Sequence, residues 1–262
     1  MCRWIAYQGE PTFLDALVAE PAHSLIAQSL CAAETKVATN GDGFGIGWYG
    51  ARKTPGIYRE VRPAWSDENL RSICHQVQSS LFFAHVRAST GPAIARANCH
   101  PFAVGRLMFM HNGQVGQYCA IKRRIDALIP DELYHHRAGT TDSEALFLAA
   151  FGFGLAADPV GGMTRMLHAV QDLMSKSGAR EALKFTAALT DGRDLYAFRW
   201  SSDRQAPTLY WRQNSDNIIV VSEPLDGDRA LWQEVPQSCV LVARDGQCVS
   251  IEPLERAVGL AA

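Results

Sequence analysis

The placement of strands constrains this chain more than any other feature of its sequence. A strand reads from Cys2 to Gln8, almost at the start, and from residue 183 onward the pattern is strand after strand. Phe185–Thr190, Leu195–Trp200, Thr208–Trp211, Ile218–Ser222, Val240–Ala243 and Val249–Ile251 are all rich in β-branched, aromatic and other apolar residues. Asp191-Gly192 and Asp245-Gly246 supply turn chemistry between neighbours. The middle of the chain is helical by contrast. Ser66 is placed to cap a helix carrying Leu70, Ile73 and Val77 on one face. Thr141-Asp142-Ser143-Glu144 has the form of a capping box opening the run Ala145–Phe151, and Pro159–Met174 reads as another helix. Strands, then helices, then strands again predict an α+β layered fold. Strands at both ends most simply share one core, which predicts a single domain over residues 2–262.

Three further segments carry polar residues where apolar strands end. Phe44–Tyr49 follows the turn-rich Asn40-Gly41-Asp42-Gly43. Leu81–Arg87 runs into Ala88-Ser89-Thr90-Gly91, and Leu107–His111 runs into Asn112-Gly113. Between them lies Asn98-Cys99-His100-Pro101-Phe102. Polar side chains repeated at the ends of rigid strands are how sites are built. Each fragment alone has a plainer reading. Arg87 can be a surface ion-pair partner, Asn112-Gly113 a hairpin turn, and Asp142 a first-turn carboxylate favoured by the helix dipole.

Cys2 is the candidate nucleophile. An ordinary thiol, with pKa about 8.5, is mostly protonated at neutral pH. Removal of Met1 gives Cys2 a free α-amine, whose pKa of about 7.7–8.0 suits a base near neutrality. Nucleophile and base then sit on one residue, and Arg3 adds positive potential nearby.

Taken in order, Met-Cys, Asp-Gly-x-Gly-x-Gly, Ala-His-x-Arg, His-Pro-Phe, His-Asn-Gly and Thr-Asp-Ser-Glu resemble the class II glutamine amidotransferases. The likeness is nearest to the stand-alone branch that includes bacterial amidotransferases and hydrolases of γ-glutamyl compounds. It covers Cys2 to Glu144 well and is looser beyond, at Ser222-Glu223-Pro224-Leu225 and Trp232-x-x-Val235-Pro236. The resemblance implies a four-layer αββα N-terminal-nucleophile sandwich of two mainly antiparallel sheets. It implies that Cys2 attacks a glutamine or γ-glutamyl amide, giving a γ-glutamyl thioester and then glutamate. It assigns Arg87 to the substrate α-carboxylate, Asp142 to the α-ammonium, and Asn112 and Gly113 to the oxyanion hole. Ser89 and Thr90 would line the carboxylate region, with His100 and His111 shaping loops in support. One departure stands out: biosynthetic amidotransferases usually carry an aromatic residue after this Arg, and here it is Ala88. Release of free ammonia, transfer to a separate partner protein and hydrolysis of another γ-glutamyl amide all stay open. So do a silent glutamine-sensing or partner-binding homologue and a glutaminase subunit feeding a synthase.

Other classes fit poorly. Twenty-five Lys and Arg against 27 Asp and Glu make no basic field for nucleic acid, and Lys122-Arg123-Arg124 reads as a solvated helix face. No apolar run approaches a membrane span, and nothing at the N-terminus resembles a signal peptide. Seven scattered cysteines without a C-x-x-C point to reduced thiols and a cytoplasmic protein. His85, His100 and His111 lack a helical metal-ligand spacing, so neither metal nor cofactor is expected. The glycines at 41, 43, 45 and 47 run into a strand where a helix would be needed and lack a following Gly-Lys-Ser/Thr. They are expected to form a close-packed loop beside the site, not a phosphate loop.

Overall fold

In the computed structural model the described residues are 2–32, 39–89, 91 and 93–254. Strand β1 (Arg3–Phe13) starts immediately after Cys2. Two short helices, α1 (Asp15–Val18) and α2 (Leu25–Leu30), follow, then the hairpin β2 (Phe44–Trp48) and β3 (Gly56–Glu60). Next come α3 (Glu68–Gln76), β4 (Gln78–Val86), β5 (Phe102–Val104), β6 (Leu107–Gln114) and α4 (Tyr118–Asp126). The helical centre is completed by α5 (Asp142–Gly152) and α6 (Pro159–Lys176). Seven strands close the described chain: β7 (Lys184–Thr190), β8 (Asp194–Ser201), β9 (Tyr210–Gln213), β10 (Asn217–Val221), β11 (Gln233–Glu234), β12 (Cys239–Arg244) and β13 (Gln247–Pro253).

The strands form two sheets, ordered β11-β9-β10-β1-β4-β2-β3 and β13-β12-β8-β7-β6-β5. Every pairing is antiparallel. The early strand β1 lies between β4 and the late strand β10, with Ile5 opposite Val221 and Ala84.

Strand alternation sorts side chains into three apolar layers. Ile5, Tyr7, Phe82 and Ala84 face Leu14, Leu25 and Leu70 of the first helical layer. Their neighbours Trp4, Ala6 and Phe83 face the other way and meet Met108, Met110, Ala188, Ala197 and Leu241 between the sheets. Phe109, Phe185 and Phe198 face outward from the second sheet onto Leu146, Phe147, Met163, Met166 and Val170 of α5 and α6. Each fully buried Phe, Leu or Met in these layers contributes about 1.5–3 kcal/mol of transfer free energy. Helix α5 is buried over residues 143–150 on all its faces, as expected for a helix wedged between a sheet and neighbouring helices. The result is the expected four-layer αββα arrangement.

Local details differ from the sequence reading in three places. Asp67, not Ser66, caps α3, accepting from the Leu70 N–H at 2.7 Å; Val77 lies past the helix end. A carboxylate one residue on is an equally good cap, and sequence alone ranks the two alike. Asn112-Gly113 is no turn: both residues lie inside β6, opposite Thr186 and Phe185. Thr141 caps α5 through Glu144 N, but the Glu144 carboxylate turns to Arg137 and to the Ala138 and Gly139 N–H groups. A buried guanidinium is a stronger partner for it than the cap backbone.

Candidate active site

The site is built where β1, β4 and β6 end together. Arg3 pairs with Val86 and Trp4 with His85, so continuing that antiparallel register places Cys2 beside Arg87. The Cys2 thiol lies 3.7 Å from the Ala88 carbonyl oxygen. Alternation puts Cys2 on the same face as Trp4 and Ala6, toward the space between the sheets. On the opposing sheet Asn112 follows Met108 and Met110 on one face, so it points into the same space. Its Nδ2 is buried and has no hydrogen-bond acceptor. An unpaired buried donor costs about 1–3 kcal/mol, and such a group is tolerated where a function needs it. Gly113 must be glycine, because a Cβ there would overlap the Lys184 carbonyl oxygen and crowd the His111 ring.

Arg87 is 3% exposed. Its Nη2 donates to Ser89 Oγ at 3.1 Å and its Nη1 to the carbonyls of Ala93 at 3.4 Å and Asp42 at 3.5 Å. The glycine loop frames this residue. Asp42 N–H donates to the Arg87 carbonyl, Arg87 N–H to the Gly43 carbonyl, and Ser89 N–H to the Asp42 carboxylate at 2.7 Å. Gly45 lets the loop at His100 cross the sheet, since a Cβ there would overlap the His100 carbonyl oxygen. The glycine run is close-packed as expected, but only Gly41 and Gly43 lie in a loop; Gly45 and Gly47 lie within β2. Thr90 lies outside the described residues.

Asp142 opens α5, and its two oxygens accept from Val115 N and Ser143 N at 2.8 Å each. The Val115 contact ties it to the end of the strand that carries Asn112 and Gly113. His111 points the other way, into the helical layer, where its ring stacks on Phe185 at 5.0 Å between centroids. A carbonyl can only accept, so Nε2–H donates to Lys184 O at 3.2 Å, and Nδ1 accepts from Ser143 Oγ at 2.8 Å. Burial lowers the His111 pKa, against the opposing pull of Asp142 and the Lys184 backbone. His100 stacks on His85 with ring centroids 4.2 Å apart and packs edge-on to Phe102. All four nitrogens of that pair are buried and without hydrogen-bond partners. Burial holds His85 neutral, down to about 3, and His100 well below its ordinary value. Both imidazoles pack against each other between strand ends.

Burial also raises the Cys2 thiol pKa; the Ala88 backbone and the Arg87 and Arg3 guanidiniums oppose it. Arg3 contributes little free positive charge, because its Nε donates to Glu223 Oε2 at 2.7 Å with both side chains buried. Its Nη1 holds the Cys2 carbonyl at 3.1 Å. The parts of the site that sequence reasoning missed are Asp42, Glu223 and Asn98. Each lies in a quoted motif, but its role depends on a partner far along the chain. Among the described residues no cluster of three or more His, Cys, Asp or Glu side chains is arranged to hold a metal ion.

Residues 16–208 match the family "Glutamine amidotransferases class-II". The chain is 31% identical to the probable glutamine amidotransferase DUG3 of Saccharomyces cerevisiae, over 97% of this chain and 84% of the yeast protein. It is 28% identical to the gamma-glutamyl-hercynylcysteine sulfoxide hydrolase of Mycolicibacterium smegmatis, over 97% of this chain and all of that protein. Among solved structures, a glutamine aminotransferase class-II domain protein from Silicibacter pomeroyi is 38% identical, with a TM-score of 0.77 and coverage of 97% and 99%. The glutamine phosphoribosylpyrophosphate amidotransferase of Bacillus subtilis, at 13% identity, shares the fold with a TM-score of 0.61, over 97% of this chain and 49% of that one.

Proposed function

The chain belongs to the class II glutamine amidotransferases, and from that premise we propose how its residues divide the work of an amidohydrolase. The substrate is glutamine or a γ-glutamyl amide. Arg87 binds its α-carboxylate, a task suited to a planar, permanently charged guanidinium, with Ser89 and Thr90 beside it. Asp142 accepts from its α-ammonium. With Met1 removed, the α-amine of Cys2 takes the thiol proton as sulfur attacks the side-chain carbonyl carbon. The developing oxyanion receives hydrogen bonds from Asn112 Nδ2 and the Gly113 N–H, each such donor being worth about 10²–10³ in rate. The C–N bond breaks as the amine returns the proton to the departing nitrogen, leaving a γ-glutamyl thioester. Water, deprotonated by the same amine, then attacks the thioester; sulfur leaves and glutamate is released.

The observation that carries this reading is the unpartnered, buried Nδ2 of Asn112 on the inter-sheet face that Cys2 also faces. His100 and His111 act through packing and hydrogen bonding and do not exchange protons with the substrate. The relative named as a gamma-glutamyl-hercynylcysteine sulfoxide hydrolase supports keeping γ-glutamyl amides beside glutamine as substrates. The cytoplasm remains the proposed location; no helix among the described residues is long and apolar enough to cross a membrane.

The test combines intact mass with product release. Active protein lacks Met1, releases ammonia from glutamine or an amine from a γ-glutamyl peptide, and loses that activity in Cys2→Ala. Activity in a chain that keeps Met1 would overturn the amine-base mechanism. Full activity of Cys2→Ala would move the nucleophile elsewhere. Stimulation of ammonia release by a second protein would identify the chain as the glutaminase subunit of a pair.

A further inference from the structure

Asn98 lies outside the roles above, yet its hydrogen bonds reach a backbone group shared with Arg87 on one side and the segment leading to Asp142 on the other. It is 1% exposed, in the loop between β4 and β5. Its Nδ2 donates to the Ala93 carbonyl at 2.8 Å, and the same carbonyl receives Arg87 Nη1 at 3.4 Å. In the other direction its Oδ1 accepts from Thr140 N–H at 2.7 Å, and its Nδ2 also reaches Thr140 Oγ1 at 3.1 Å. Thr140 is two residues before Asp142. Gly139 is packed so closely that a Cβ would meet Asn98 Oδ1. The far side of this loop is pinned by Arg137. That side chain is buried and donates to Asp126 at 3.2 Å, to Glu144 at 2.5 Å, to the Gly139 carbonyl at 3.1 Å and to Tyr118 Oη at 2.8 Å.

These bonds form one path: Arg87, Ala93, Asn98, Thr140, and from there to the first turn of α5 and Asp142. A carboxamide suits the centre of it. The Ala93 carbonyl needs a donor and the Thr140 N–H needs an acceptor, and one Asn side chain supplies both. An aliphatic residue would take the shorter of its two donors from the Ala93 carbonyl and the acceptor from the Thr140 N–H, and a carboxylate would face the Ala93 carbonyl with no donor. We propose that Asn98 is a positioning residue that fixes the separation of Arg87 and Asp142, and so sets the fit of the site to the α-amino and α-carboxylate groups of its substrate. It acts on recognition of the amino-acid end and leaves the chemistry at Cys2 alone. This inference rests on the assignment of Arg87 and Asp142 as the clamp.

The test uses two thiol-directed probes read at the Cys2 peptide by mass spectrometry. The diazoketone analogue of glutamine carries the α-amino acid end; iodoacetamide does not. In the wild type, inactivation by the analogue should saturate with concentration, and labelling by iodoacetamide should not. In Asn98→Ala the half-saturating analogue concentration should rise about tenfold, the effect expected for loss of a pair of hydrogen bonds. Its rate at saturation and its iodoacetamide rate should hold. Thr140→Val, at an exposed position, should move in the same direction by less and guards against a misfolded Asn98→Ala. Unchanged half-saturation in both variants, or equal losses with both probes, would overturn the proposal while leaving the clamp intact. Failure of the wild type to saturate would overturn the clamp itself and this inference with it.

Discussion

Arg3 and Glu223, 220 residues apart, close the nucleophile's strand onto the segment after β10. The Nε–Oε2 distance is 2.7 Å, both side chains are almost fully buried, and the same guanidinium holds the Cys2 carbonyl. The adjoining Trp4 backbone bonds to Ser222 through both its N–H and its carbonyl. The start of β1 is thus anchored through both of the residues that follow Cys2. Breaking a buried ion pair from one side leaves an uncompensated charge and costs about 3–5 kcal/mol. Glu223→Ala should therefore lower the urea midpoint sharply. The double variant Arg3→Met with Glu223→Leu should recover most of that loss, because it leaves no orphaned charge. Equal stability of single and double variants would contradict this account.

Asn112→Ala should separate catalysis from stability. Its Nδ2 makes no native hydrogen bond, so the folded state loses little when it goes. The transition state loses a donor, and kcat should fall about 10²–10³-fold while the melting temperature stays close to that of the wild type. A variant as active as the wild type would remove Asn112 from the oxyanion hole.

Arg87→Lys should raise KM for a γ-glutamyl substrate with a smaller effect on kcat. Lysine keeps the charge but lacks the fork that meets a carboxylate in two places. Steady-state kinetics distinguish this from a structural defect, which would lower the amount of active enzyme and leave KM unchanged.

Gly45→Ala should be destabilising although the change is one methyl group. The new Cβ meets the backbone carbonyl of His100, which cannot swing aside as a side chain would. Overpacking of this kind typically costs about 1–3 kcal/mol. Thermal unfolding checks it, and Gly50→Ala, where a Cβ meets nothing, is the control.

The buried histidines make stability fall as the pH drops. His85 is lowered to about 3 in the folded chain by burial, against about 6.5 when unfolded. Above about 6.5 neither state binds the proton, and stability is complete. Between 6.5 and 3 the unfolded chain takes up the proton and the folded chain does not. Stability therefore drops by about 1.4 kcal/mol per pH unit for each such residue. His100, lowered in the same direction, steepens the slope. Urea unfolding at pH 7.5, 6 and 5 should show the loss, and His85→Gln should make it shallower. Identical slopes would show that His85 keeps its ordinary pKa in the fold.

Much of the architecture was legible because it rests on local patterns. Alternating apolar residues mark β1, β4, β6 and the late strands, and the turn residues between them are explicit. The helix opening at Thr141 was equally clear, since its cap and first turn lie within four residues. Sequence order likewise singled out Cys2, Arg87, Asn112, Gly113 and Asp142 as one candidate set. It did not distinguish a hairpin turn from a strand end at Asn112-Gly113, because that depends on whether Lys184–Thr190 lies alongside.

By itself, then, the sequence determined the broad succession of early strand, helical centre and late strands, though not β3, β5 or the short helices α1 and α2, and it nominated the residues proposed for the site. Tertiary structure alone decided which way those residues face. Antiparallel register turned Cys2 and Asn112 into the space between the sheets and sent His111 into the helical layer. It also brought together Arg3 with Glu223, and Asn98 with Thr140. The physical reason is that a strand has two equivalent faces until a partner buries one of them. A buried polar group likewise has no fixed role until a distant segment supplies its hydrogen bond.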